Sequence, residues 1–225
     1  MKYILFVLTS VAEIGPSKHN SGAYVSEVAH PYEEFSKHGY GVDFTSLAGG
    51  DPPLYGYDEK DTVSKEFLDS RQFRRLRNSR KLADVDIAAY DAIFFPGGTG
   101  PMVDVATDPL VKQIIANAYE SGRVVGAVCH GPAALLDVKL SNGEFLVAGK
   151  RVAAFTNEEE EKTTKAHVPF LLEDALKKQG AEHVAAPAWK ANTIVHERLV
   201  TGQNPASASG VAKAMIELIS QSQSA

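Results

Sequence analysis

The chain has a single cysteine, Cys129, and a single tryptophan, Trp189, among 225 residues. One cysteine excludes an internal disulfide and any multi-cysteine zinc cage, and it fits a reducing compartment. No apolar run approaches the roughly 20 residues needed to cross a bilayer. The opening "MKYILFVLTS" has apolar character only over Tyr3–Leu8 and then turns polar with no small-residue cleavage site, so it reads as a first strand rather than a signal peptide. Neither charge dominates: 23 Lys and Arg stand against 28 Asp and Glu. That balance argues against bulk binding to nucleic acid or anionic membranes. The expected location is the cytoplasm, with the nucleus open as a second site.

What the chain does have is an alternation. Short apolar runs fall at Tyr3–Leu8, Val42–Leu47, Tyr90–Pro96, Arg123–Val128, Arg151–Phe155 and His183–Ala186, with a pair between Thr193 and Gly202. Helical patterns lie between them, at Ala23–His38, Asp61–Ser79, Asp108–Ser121, Pro132–Val138, Val168–Gln179 and Ala206–Ser220. Near-continuous apolar strands alternating with helices predict a mostly parallel sheet covered on both faces, a doubly wound, flavodoxin-like α/β sandwich. With no linker or repeat, one domain is expected over 1–225, carrying a helical insertion at about 58–87. The insertion contains "QFRRLRNSRK", which reads as a solvated helix face because acids precede it.

In open α/β sheets, functional groups gather where strands end. "GGTGP" follows the third strand, Cys129-His130-Gly131 the fourth, "TNEEEE" the fifth and "QNPASA" the last. Glu27 falls in the first turns of the helix after strand one. The run Gly126-Ala127-Val128-Cys129-His130-Gly131-Pro132 has the form of a nucleophile elbow with Cys in place of Ser. Its backbone should be strained at Cys129. The N–H groups of the following helix should lower the thiol pKa. Glu27 borders the stripe Tyr24, Val28, Tyr32, Phe35, and taken alone reads as a partly solvated edge residue. The histidines His19, His30, His38, His167, His183 and His196 show no ligand spacing, so no metal is expected.

The segment "AVCHGPAALL" resembles the nucleophile segment of the ThiJ/PfpI superfamily, within the class I glutamine amidotransferase-like fold. With "SGAYVSEVAHPYEEF", "FFPGGTGPM", "VAAFTNEEE" and "LVTGQNPASA" it is similar, nearly end to end, to the branch of glutathione-independent glyoxalases and heat-shock chaperones. The resemblance implies a nucleophile at Cys129, an acid/base at His130, an acid at Glu27, and a triad acid at Glu160 with Glu159 as the alternative. It places an oxyanion hole at the N–H groups of Gly98 and His130, and extends the substrate site to Thr99 and Asn204. Relatives often carry His where this chain has Thr99, followed by Met-Trp where it has Met102-Val103.

The implied reaction converts methylglyoxal to D-lactate, a lyase step with no cofactor, glutathione or metal. Cys129 would form a hemithioacetal, and either His130 or Glu27 would move protons through an enediol. The expected partners are a small 2-oxoaldehyde and a second copy of the chain, a homodimer. The competing readings are a stress chaperone that holds unfolded chains, and a cysteine peptidase or protein deglycase of the same superfamily. A glutamine amidotransferase fits less well, because no synthetase domain is attached and the His adjoins the Cys.

Overall fold

A computed structural model describes residues 2–221. Seven strands build the main sheet: β1 (Tyr3–Leu8), β2 (Gly41–Ser46), β3 (Arg80–Lys81), β4 (Ala92–Phe95), β5 (Val124–Val128), β6 (Thr193–His196) and β7 (Leu199–Gly202). Their order is β6-β7-β5-β4-β1-β2-β3, and every pairing is parallel except the β6–β7 hairpin. The helices are α1 (Val25–Lys37), α2 (Thr62–Asp69), α3 (Arg71–Leu76), α4 (Pro109–Glu120), α5 (Asn157–Lys162), α6 (Leu172–Lys178) and α7 (Ala208–Gln221).

The predicted doubly wound sandwich is what forms, because the central strands are apolar on both faces. Leu5, Val7, Ile93, Phe95, Val125 and Ala127 face one core with Val111 and Ile115 of α4. Ile4, Phe6, Phe94 and Val128 face the other, against Val28 and Phe35 of α1 and Val211 and Met215 of α7. Phe6 centres the second core, with the rings of Phe35, Phe44 and Phe94 at 5.9, 5.5 and 4.8 Å. Such contacts contribute about 0.5–1.5 kcal/mol each beyond area burial. The start of α4 is set by side-chain capping: Asp108 accepts from the N–H groups of Leu110 and Val111, and Pro109 opens the helix where its missing N–H costs nothing.

Four expectations need correction. Arg151–Phe155 does not join the main sheet. Only Arg151–Val152 is strand, and it pairs with Glu182–His183 in a separate two-stranded ribbon. The run is apolar because Val152, Ala153, Ala154 and Phe155 are buried by packing, not because they extend the ladder. The expected strand at His183–Ala186 is reduced to that ribbon partner. The helix at Asp61–Ser79 is broken at Ser70, whose side chain ends one helix on the Phe67 carbonyl and caps the next by accepting from the Phe73 N–H. The helix at Pro132–Val138 is a 3₁₀ turn over Gly131–Leu135. Strand β3, made of two charged residues, gave no apolar signal.

Candidate active site

Strand β5 delivers Cys129 into a left-handed backbone conformation, φ +61°, the strain expected of an elbow. Neighbouring segments hold it there. The Cys129 N–H donates to the Gly202 carbonyl at 2.9 Å, and the Cys129 carbonyl accepts from the Phe155 N–H at 3.0 Å. The second bond draws the 151–156 segment to the nucleophile, although it is not a strand of the sheet. Gly131 has to be glycine, since a Cβ there would stand 2.2 Å from the Phe95 carbonyl oxygen.

His130 Nδ1 lies 3.5 Å from the Cys129 sulfur, and His130 Nε2 lies 2.5 Å from Glu160 Oε1. Both side chains are buried. Glu160 Oε2 accepts from the Thr164 hydroxyl. Of the two candidate acids on α5, Glu160 therefore contacts the imidazole. Glu159 is equally buried but faces away from it.

Glu27 is fully buried rather than a solvated edge residue. Its Oε2 accepts from the Gly97 N–H at 2.8 Å, and the Cys129 thiol acts on the same carboxyl. Burial raises its pKa to about 8, with the thiol and the Gly97 N–H opposing the rise. Gly97 leaves the room this needs, since a Cβ would come within 2.4 Å of Glu27 Oε2. Glu27 is thus neutral over most of the physiological range.

The expected low thiol pKa is overturned. Burial, and next the proximity of Glu27, push the Cys129 thiol well above its ordinary value. The N–H groups of Gly98 and His130 do act on the sulfur and oppose the rise, as the elbow argument required, but they do not win. The turn after the nucleophile is a short 3₁₀ segment, with none of the aligned dipole of a long helix.

A cavity of about 170 Å³ opens over the sulfur. Gly98 and Thr99 line one side, and Thr163 and Thr164 another. Beside Cys129, Glu27 and Pro205, the rest is aromatic. Tyr24 and Tyr55 meet edge to face at 5.3 Å, while Phe155 stands between His130 (4.5 Å) and Trp189 (5.7 Å). Thr99 is fixed by the Ser21 hydroxyl at 2.8 Å, and its N–H donates to the Tyr55 hydroxyl at 3.0 Å. Asn204 does not line the cavity. Its amide nitrogen donates to Glu159 Oε1 and the Lys190 carbonyl, and its Oδ1 accepts from Ser207, so its predicted substrate contact is replaced by a structural one. Tyr24, Tyr55, Phe155 and Trp189 were not foreseen as cavity walls: Tyr24 and Tyr55 face each other across a two-residue parallel strand pair, and Trp189 sits in a turn, contacts that no local pattern announces.

Among the described residues no group of three His, Cys, Asp or Glu side chains is placed to hold a metal. His19 and His167 stack on each other at 4.1 Å, and His30 pairs with Asp61 at 2.8 Å. In "QFRRLRNSRK", Arg75 pairs with Asp43 and Arg77 with Asp51. No described helix is long and apolar enough to cross a membrane.

A parallel α/β sheet with a thiol on a strained strand-to-turn elbow, a His–Glu pair beside it and a buried glutamate across from it defines a class of cysteine-centred α/β proteins. The chain belongs to the DJ-1/PfpI family, which it matches over residues 20–218. It is 33% identical to the glutathione-independent glyoxalase HSP31 of Saccharomyces cerevisiae, over 97% of this chain and 98% of that one. It is 31% identical to Glyoxalase 3 of Candida albicans, over 96% and 98% of the two chains. Among solved structures it is similar to the 24 kDa rapid encystment protein of Francisella tularensis, with TM-score 0.93, 35% identity and coverage of 97% and 99%. It is also similar to glyoxalase III of Candida albicans, with TM-score 0.82, 29% identity and coverage of 96% and 97%.

Proposed function

We propose that the protein is a glutathione-independent glyoxalase that converts methylglyoxal to D-lactate. The observation that carries this reading is the arrangement around one sulfur. Cys129 faces the imidazole of the His130–Glu160 pair on one side and the near-neutral carboxyl of Glu27 on the other, in a cavity sized for a small molecule. A carboxylate accepts only, so Glu160 accepts from the Nε2–H and leaves the Nδ1 lone pair of His130 facing the thiol.

His130 then receives the thiol proton as sulfur adds to the aldehyde carbon. The new oxyanion is held by the N–H groups of Gly98 and His130, giving a hemithioacetal once protonated. Loss of the C1 proton forms an enediol, and return of a proton at C2 gives the lactoyl thioester. Glu27, with a pKa of about 8, is poised to exchange these protons near neutral pH. Water cleaves the thioester, releasing D-lactate and the thiol. None of these steps calls for glutathione or a metal ion. The activity is placed in the cytoplasm, in a homodimer, on the same reading.

The test is D-lactate formation from methylglyoxal without glutathione, with Cys129→Ala as the control. Turnover that survives in the variant removes the nucleophile, and no turnover in the wild type removes the function.

A further inference from the structure

Two consecutive carboxylates on α5 are shut off from solvent, but Glu160 alone is engaged with His130. Glu159 gathers five donors. Its Oε2 accepts from the N–H and the hydroxyl of Thr156, both at 3.0 Å, which with the Thr156 hydroxyl on the Glu159 N–H makes the capping box of α5. A capping box accounts for that oxygen only. Oε1 accepts from the Trp189 N–H at 2.8 Å, the Asn204 amide at 2.8 Å and the Gln203 amide at 3.3 Å. Gln203 in turn grips Ala186 from both sides, accepting from its N–H at 2.8 Å and donating to its carbonyl at 3.2 Å. The 186–189 loop is thus fastened at both ends to one buried oxygen and its neighbour.

What the loop carries is the outer wall of the cavity. Trp189 sits at φ +66°, a conformation a residue with a Cβ adopts only when its surroundings force it. The residue is 45% exposed, lines the cavity, and its ring touches Phe155 edge-on. With so much of the residue in solvent, packing alone does not fix it. We infer that Glu159 is a positioning residue that holds Trp189 as the apolar wall for the carbon substituent of the substrate, and so sets a preference for methylglyoxal over glyoxal. The assignment rests on the glyoxalase reading above. A wall that touches the methyl group equally before and during reaction alters KM and leaves kcat alone.

Trp189 is the sole tryptophan of the chain, so intrinsic fluorescence reports its position with no substrate present. The experiment compares wild type with Glu159→Gln and Gln203→Met in emission, acrylamide quenching and steady-state kinetics on both aldehydes. Glutamine keeps the size of Glu159 but turns an NH₂ toward one of its two donor groups. The expected result is red-shifted, more readily quenched emission in Glu159→Gln. KM for methylglyoxal should rise about ten-fold, kcat should stay within about two-fold, and KM for glyoxal should hardly move, as loss of one methyl contact allows. Unchanged emission overturns the inference. So does a fall in kcat at constant KM, which would show Glu159 acting on the chemistry through Glu160, and so does an equal loss on both aldehydes. Should Glu159→Gln not fold, Gln203→Met decides by the same criteria, since it leaves the Thr156 cap intact. Should the wild type turn over neither aldehyde, the glyoxalase reading falls, and the emission arm still decides whether Glu159 holds Trp189.

Discussion

Glu160 Oε1 and His130 Nε2 are 2.5 Å apart, and both side chains are buried. The second oxygen of Glu160 is occupied by Thr164, so the carboxylate has no freedom to turn away. Its effect is to fix the imidazole tautomer that presents Nδ1 to the sulfur. Glu160→Gln can offer Nε2 an NH₂ in place of an acceptor. Turnover of methylglyoxal is expected to fall by about 10²-fold or more, with KM little changed. Wild-type kcat in this variant would show that His130 is oriented by something else.

Cys129 should react as a thiol with a raised pKa. Its rate of alkylation by iodoacetamide should keep climbing through pH 8, about ten-fold per unit where the thiolate is scarce, and peroxide oxidation should follow the same course. Peptide mass spectrometry at graded pH measures both. A plateau already reached near pH 6 would mean that the N–H groups of Gly98 and His130 outweigh burial and Glu27.

Glu27 links the site to stability. Its carboxyl is raised from 4.5 to about 8, so the folded chain keeps a proton that the unfolded chain has released over that window. Stability is fullest below pH 4.5 and declines as pH rises toward 8. Glu27→Gln removes the titration and keeps an acceptor for the Gly97 N–H. It should be more stable than wild type at pH 7–8, by up to roughly 3–4 kcal/mol, and the gap should close near pH 4.5. The same variant should lose most glyoxalase activity. A variant that melts below wild type at pH 6–7 would show that Glu27 is already ionised there in the folded protein.

Two glycines of the elbow should differ sharply. A Cβ at Gly131 meets the Phe95 carbonyl at 2.2 Å, rigid backbone of the adjacent strand. At Gly126 the nearest atom is the sulfur of Met215, at 2.1 Å, on a flexible side chain that can move. Gly131→Ala should destabilise by about 3 kcal/mol and abolish turnover, while Gly126→Ala should cost about 1 kcal/mol and retain it. Denaturant midpoints for the two variants settle the ranking.

These contrasts show what a one-dimensional reading reaches. Strands β1, β4 and β5 were legible because burial on both faces demands unbroken apolar runs. The elbow was legible because a strand ending in Cys-His-Gly-Pro has few other uses. Glu27, His130 and Glu160 were placed by resemblance, and the distances bring them together around Cys129. Illegible was whatever depends on loops meeting. Trp189 and Tyr55 reach the cavity from segments remote in sequence, and Asn204 was misread because its position after β7 does not reveal that Glu159 claims its amide. The direction of the thiol pKa was misjudged for the same reason, since it hinges on how completely Glu27 and Cys129 are enclosed.

The bonds that seat Cys129 bear on how the molecule breathes. Its N–H is tied to Gly202 on β7 and its carbonyl to the Phe155 N–H, so the nucleophile is stitched at once to the sheet and to the segment leading into α5. Local fraying cannot free one tie without straining the other. The Cys129 and Phe155 amides should then rank among the slowest to exchange with deuterium, at rates set by global unfolding. Damage to the site's geometry and loss of the fold become one event, and a sample that keeps its slow-exchanging amides keeps its competent nucleophile.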